Sequence, residues 1–507
     1  MNTKVLKQKI LDLAIHGKLL PLEKVEKIRK EEPASVLLEK IRAEKQEKIA
    51  KGELKKDKND SFIFLGDDKR HYEKFADSSV KDIEDEIPFA VPDGWSWCRL
   101  KEISLDMADG PFGSNLKTEH YTTKKEARLI QLSNIGEEGW REENTKYTTF
   151  EHAKKNISRS IVESGNIVIA KMMPAGRAII CPNNEKMYVL SSDAVKLIPS
   201  ILIYSKYLLN TINSPSFRNS VTDNVQGSTR LRTSISKLKE CFIPLPPLNE
   251  QQLIVTEIEK IFAQIDLLEQ NKIDLQTTIK QAKSKILDLA IHGKLVSQDP
   301  NDESAEELLK RIATSDNRPY KKFEEAVLFE IPKSWSWCYL HTISALLNGD
   351  RGENYPSKKD YVECGIPFIN AGCLDNGNIN YDVANYITEE KYNSLRAGKI
   401  QKGDILYCLR GSLGKTGFVI TDNKGAISSS LCIFRLNESV IPQYFLYVLN
   451  SNAIKVQQKM VDNGTAQPNL SAKDVSNYQI PLPPLAEQYR IVTKIEELFE
   501  KLDIISN

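Results

Sequence analysis

The chain has 507 residues, 40% of them hydrophobic and 27% charged, with a formal net charge of +1. That is the make-up of a soluble globular protein of about three domains, and it supplies no overall basic excess for nucleic acid. No apolar run reaches the roughly 18 residues that cross a bilayer, the N-terminus lacks a secretory h-region and cleavage site, and the eight scattered cysteines form no C-x-x-C pair, which excludes a membrane or secreted protein and a Cys-based metal site and points to reduced thiols in the cytoplasm.

In chain order, residues 1–20 read as an amphipathic helix with Leu6, Ile10 and Leu13 on one stripe, ending in "KILDLAIHGKL". Residues 21–86 read as a charged helical insert, either a solvated outer helix or a docking surface for a partner. A globular domain follows at 87–247. Its short β-rich runs ("NIVIA", "RAIIC") precede a helical "IYSKYLLNTINS", a mixed α+β pattern. Trp95 and Trp97 open it with the alternate spacing that puts two rings on one strand face, for core packing. "IPLPPL" closes it, and Pro244, Pro246 and Pro247 predict a rigid, extended exit.

In residues 248–296 apolar side chains fall at Ile254, Ile258, Ile261, Ile265 and Leu268, then, past a gap at Lys272, at Leu275, Ile279, Ala282, Ile286 and Leu289. Alternating steps of four and three are a coiled-coil seam. The spacing predicts one helix over Asn249–His292, capped by Asn249 with Gln252 and stopped by Gly293, roughly 66 Å long at about 1.5 Å per residue. Residues 297–330 read as a linker. A second globular domain at 331–484 again opens with two tryptophans, Trp335 and Trp337, and closes with "IPLPPL". Residues 485–507 restart the seam at Ile491, Ile495, Leu498 and Leu502.

These parts are one unit written twice. "WSWC" recurs at an offset of 240 residues, "SGNIVIAK" matches "KGDILYCL" at 238, and the two "IPLPPL" stretches lie 237 apart. A period this long is a duplicated domain rather than a solenoid. The first copy's long helix runs on into "KILDLAIHGKL", whereas the second copy's helix stops at Asn507 and its remainder is the N-terminus. The layout is that of a circularly permuted repeat, and it requires the two chain ends to lie close together. Two matched seams should pair with each other, antiparallel if a two-fold relates the copies.

Nucleotide chemistry finds no support. "RGSLGKTG" at Arg410–Gly417 offers G-x-x-G-K-T, but Leu409 stands where a P-loop needs its first glycine, and the strand-like "GFVIT" follows where a helix should. The aligned "MMPAGRAII" keeps Gly176 against Gly414 and Arg177 against Lys415. That pattern suggests a hairpin whose tip touches anions such as DNA phosphates. No GxSxG, HExxH, Rossmann or [DN]-P-P-[FY] motif occurs, so nothing marks an enzyme.

Two α+β units, each closing with "IPLPPLxEQ" and a long helix ending "KILDLAIHGKL", in a permuted layout with "GKLLP" and "EEPASVLLEKIRAEK" near the start, resemble the specificity subunit of type I restriction–modification systems over essentially the whole chain. The resemblance implies two homologous target-recognition domains separated by two long antiparallel coiled-coil helices with pseudo-two-fold symmetry. It implies that each domain reads one half of a split double-stranded DNA target and that the helices set the spacing and dock two methyltransferase subunits. Restriction/translocase subunits would join, and S-adenosylmethionine and ATP would sit on those partners, with no cofactor on this chain. The competing reading is a protein-binding scaffold with no DNA role. Candidate DNA contacts are polar or cationic loop residues. In the first domain they are Gly110, Phe112, Ser114, Asn115, Lys171, Arg177, Ser228, Thr229 and Arg230. In the second they are Arg351, Asn354, Tyr355, Arg410, Ser412, Lys415, Gln467 and Asn469. Arginine matches guanine, and asparagine or glutamine matches adenine.

Overall fold

A computed structural model describes residues 2–506 except 58, 112–114, 173–174, 224–231, 376 and 463–467. It divides into two compact units, Met1–Gln270 and Asn271–Asn507. The dividing point lies inside a single helix, Leu248–Ile291, so each unit holds half of that rod. The helix opens one residue earlier than predicted. Asn249 is exposed in its first turn rather than capping it, and the Gln251 amide donates to the carbonyl of Pro247. Gly293, at φ +66°, follows the other end as expected.

In the first unit the N-terminal helix, Thr3–Ile15, runs antiparallel to the rod. Thr3 donates to Glu269 at 3.2 Å and Lys7 sits 2.5 Å from Asp266, while Leu11 and Ala14 pack with Ile254, Val255 and Ile258. In the second unit the helix Leu485–Ser506 does the same: Lys283 sits 2.6 Å from Asp503, and Ile491 and Ile495 share a core with Leu287, Ala290 and Ile291. Seam residues Ile254, Ile258, Ile265, Ile279, Ile491 and Ile495 are buried, and Leu6, Ile10, Ile261, Ile286, Leu289, Leu498 and Leu502 are half-buried. Three do not behave as predicted, for Leu13, Leu268 and Leu275 are exposed. Near the "LAIHG" end the partner changes from a helix to a globular domain, and the buried face rotates to Leu11, Ala14 and Ile15 (Leu287, Ala290 and Ile291 in the repeat). Met1 and Asn507, on which the expectation of adjacent chain ends rests, lie outside the described residues.

The "IPLPPL" stretches are not free exits. Phe242–Leu245 pairs antiparallel with Ser96–Arg99, setting Pro244 opposite Trp97, and Gln479–Leu482 pairs with Ser336–Tyr339 in the same register. Trp95, Trp97, Trp335 and Trp337 are all buried. The "EQ" that follows explains how domain and rod are joined. Gln251 accepts from the Tyr204 amide at 2.9 Å and donates to the Pro246 carbonyl at 3.0 Å; Gln488 repeats both bonds with Ile441 and Pro483. Each fully buried carboxamide therefore ties its domain's helical layer to the first turn of its rod.

The segment 21–86 departs most from the sequence reading. It holds helices Leu22–Glu31 and Ala34–Ala50, which pack one face through Val25 and through Ala34, Leu37, Leu38 and Ile41 and leave most other residues exposed or half-buried, so they are outer helices, but the segment is not wholly helical. It ends in a three-stranded antiparallel meander, Ser61–Leu65, His71–Phe75 and Val80–Asp82. "SFIFL" is a short apolar run and "HYEKF" a mixed one, and neither shows the strict alternation that marks a strand. Glu73 of the meander takes Arg99 at 2.9 Å, and the Ile63 amide points at the Glu102 carboxylate.

Glu102 also accepts the Arg99 amide at 2.7 Å, yet burial pushes its carboxyl up to about 8. The folded chain then keeps a proton that the unfolded chain releases as pH rises from the ordinary carboxylate range to about 8, so Glu102 lowers stability across that window. Glu102→Gln keeps an acceptor for both amides and carries no proton to lose. Its stability advantage over the wild type should be absent below about pH 4.5 and grow to a few kcal/mol by about pH 8. Urea titrations at several pH values read this directly, and a pH-independent difference would contradict it.

Each globular domain is built mainly of one mixed and one antiparallel sheet, in that order below. In the first they run 161–162, 188–190, 127–130, 147–148, 121–122 and 178–180, 167–170, 194–199, 104–109. In the second they run 361–362, 385–387, 366–369, 426–427 and 344–348, 431–436, 405–408, 416–418. Among the described strands, one pair in each domain is parallel, 127–130 with 188–190 and 366–369 with 426–427.

Candidate nucleic-acid interface

In both domains, loops carrying candidate residues flank one short serine-containing run. In the first domain the run is Ser191–Asp193. Gly110 lies so tightly against it that a Cβ there would meet the Ser191 carbonyl oxygen at 1.7 Å, and the Lys171 amide donates to the Asp193 carbonyl at 2.9 Å. In the second it is Ser428–Ser430, with Gly349 against the Ser428 carbonyl and the Leu409 amide donating to Ser430. A returning segment completes each cluster: Thr233 donates to the Lys171 carbonyl at 3.0 Å, and Leu470 to the Leu409 carbonyl at 2.8 Å.

The side chains on this shared frame differ. In the second domain Arg410 Nε donates to Asn469 Oδ1 at 3.1 Å, which fixes both polar groups at the hairpin's edge, and Ser412 and Lys415 are exposed on the same hairpin. Lys415 runs into the strand Thr416–Phe418, not a helix, so the loop is no P-loop. On the opposite flank Asp350 accepts the Gly352 and Arg396 amides, both at 2.8 Å, and those bonds hold its carboxyl below the usual range. The turn they shape exposes Arg351 and sets Asn354 against the Ser394 carbonyl at 2.9 Å. The Tyr355 ring packs edge-on against Phe368, which makes it partly core.

The first domain corrects two candidates. Lys171 is almost fully buried with its ammonium 2.5 Å from Asp109, so it cannot reach a phosphate, and Gly110 is buried beneath the serine run. Arg177 is half-buried beside Glu137, Arg218 and Arg141; burial lowers its pKa. Asn115 is exposed, its carbonyl bonded to the His152 ring at 2.8 Å. Phe112, Ser114, Ser228, Thr229, Arg230 and Gln467 lie outside the described residues. Sequence reasoning missed the serine runs, Arg396, and Arg232, which pairs with Asp193 at 2.9 Å and donates to the Ser192 carbonyl. The signal was present: "LSSD" and "ISSS" continue the repeat at the same offset of 237.

Among the described residues no three His, Cys, Asp or Glu side chains gather as a metal site, and no helix is long and apolar enough to cross a membrane. The cysteines are unpaired and, Cys364 apart, buried.

Two mixed domains, each ending in a rod helix, define a class that comparison makes explicit. The family model for the type I restriction modification DNA specificity domain matches residues 116–277 and again 342–507, each time a globular domain with the rod that follows it. The chain belongs to that family. It is 25% identical to the type I restriction enzyme EcoAI specificity subunit of Escherichia coli, over 98% of this chain and 89% of that one. It is likewise 25% identical to the EcoEI specificity subunit of Escherichia coli, over 99% and 89%. A solved chain of a type I R-M system shares the fold at a TM-score of 0.53, with 19% identity, covering 83% of this chain and 93% of its own. The chain is a specificity subunit homologue with two target-recognition domains and is not itself an enzyme.

Proposed function

We propose that each globular domain reads one half of a bipartite double-stranded DNA target through the loops around Ser191–Asp193 and Ser428–Ser430. The observation that carries this is the repeated backbone frame with diverged side chains. Lys171 with Asp109 stands where the repeat has Leu409 with Asn348, and Arg232 stands where it has Asn469. Two like frames with unlike surfaces suit two different half-sites. The rod helices set the separation and dock two methyltransferase subunits. In support, Leu253, Leu267 and Leu268 of the first unit, and Ile273, Leu275, Tyr489, Ile504 and Ile505 of the second, are exposed apolar side chains on the rod or the helix paired with it. Restriction/translocase subunits join that cytoplasmic complex; S-adenosylmethionine and ATP belong to the partners.

Gel-shift titration of the chain with its methyltransferase partner, over a salt series and with random-sequence DNA, tests the reading. Binding should weaken as salt rises. Arg410→Ala should cost about 1–3 kcal/mol on the cognate site and little on random DNA, and Lys415→Ala should weaken both and reduce the salt slope by about one. No binding at low salt would instead favour a protein-binding scaffold.

A further inference from the structure

The two domains superpose in sequence at a constant offset of 237 from Tyr207 and Tyr444, whose hydroxyls donate to the carbonyls of Pro244 and Pro481 at 2.6 and 2.7 Å. At that offset Ser220 stands where the second domain has Gln457, and Phe242 where it has Gln479. Gln457 is a clamp. Its Nε2 donates to the Gln479 carbonyl at 3.0 Å, and its Oε1 accepts the Gln479 amide at 2.8 Å. The carboxamide thereby satisfies the outer edge of the strand that pairs with Ser336–Tyr339.

Ser220 is too short for this. Its hydroxyl turns back to the Phe217 carbonyl, 2.8 Å away in its own helix. Phe242 has the register of Gln479, facing Arg99 as Gln479 faces Tyr339, so its N–H and C=O point the same way. Among the described residues no side chain bonds them. In place of the clamp lies a cavity of about 520 Å³, walled by Phe89, Trp97, Phe217, Cys241 and Phe242 with Ser220 on its helical side. Arg99 also lines it, but its guanidinium is held by Glu73 and Glu86 at 2.9 and 3.2 Å. The cavity thus combines flat apolar walls with a polar margin of Ser216, Ser236, Lys237 and Glu240 and with one backbone donor–acceptor pair in the spacing that a carboxamide fills in the other half of the same molecule.

We propose that this cavity is a binding site for a neutral carboxamide carried on a flat apolar group, with the amide on the Phe242 backbone and the apolar body between Trp97, Phe89 and Phe217. The assignment does not depend on the DNA reading. Benzamide is the probe and benzoate, which cannot donate to the Phe242 carbonyl, is its control. Ligand-observed NMR on the full chain should show one saturable benzamide site with a Kd of about millimolar, as its size allows. Benzoate should bind roughly tenfold more weakly. Ser220→Gln should abolish the site by supplying the clamp internally, and Gln457→Ser should create a second one. Hydrogen exchange of the Phe242 amide in the wild-type chain, slowed by benzamide, gives a readout that needs no variant to fold. No saturable benzamide binding, equal binding of benzoate, undiminished binding to a folded Ser220→Gln chain, or unchanged exchange at Phe242 would each overturn the proposal.

Discussion

Glu250→Ala should destabilise the first unit by about 3–5 kcal/mol, the usual cost of stripping one partner from a buried ion pair. Glu250 is fully buried in the first turn of the rod, where a carboxylate also suits the helix dipole. Arg29 reaches it with two nitrogens, Nε at 3.0 Å and Nη2 at 2.6 Å, from the helix Leu22–Glu31. Without the carboxylate that guanidinium is left largely buried and unpaired. The repeat supplies an internal contrast. Glu487 occupies the same place but accepts from neutral groups, the Trp335 indole at 2.9 Å and the Gln298 amide at 2.6 Å, and burial raises its pKa. Glu487→Gln should therefore cost less than about 1 kcal/mol. Urea denaturation of the two variants separates these outcomes, and equal losses would show that the cation is not what matters at this junction.

The second large effect is on specificity. Four residues inserted near Lys272 lengthen the rod by about 6 Å and add roughly one turn, while touching neither globular domain nor either "EQ" junction. With its methyltransferase partner, the altered chain should direct methylation to a target with both half-sites unchanged and a longer gap between them. Methylation mapping of cells carrying it reads the gap, and an unaltered gap would mean that the helix is not the spacer.

How much of this was legible follows from where each signal lives. The rod and its pairing are written in Ile254, Ile258, Ile265, Ile491 and Ile495, whose three-and-four spacing survives because one face of each helix stays turned to the helix and core packed beside it. The pattern fails at Leu13 because the last turns of the N-terminal helix meet Trp95 and Tyr207 as well as the rod. It fails at Leu268 and Leu275 because those side chains are exposed near the boundary between the units. The meander Ser61–Asp82 was hidden because much of what anchors it is polar: Glu73, Arg99 and Glu102 read as solvent-facing residues until their partners are known. The same holds for Lys171, whose burial depends on an aspartate 62 residues earlier in the chain. The loop hairpins were legible as loops, but the serine runs that organise them carry no charge or aromatic ring to draw notice.

Beneath all of this lies the claim that one chain holds two diverged readers a set distance apart. Methylation mapping of cells that express the unaltered chain with its methyltransferase partner tests it most directly. The account predicts one bipartite motif, two different short half-sites around an unread gap of constant length. A single uninterrupted motif, or half-sites at variable distance, would contradict it.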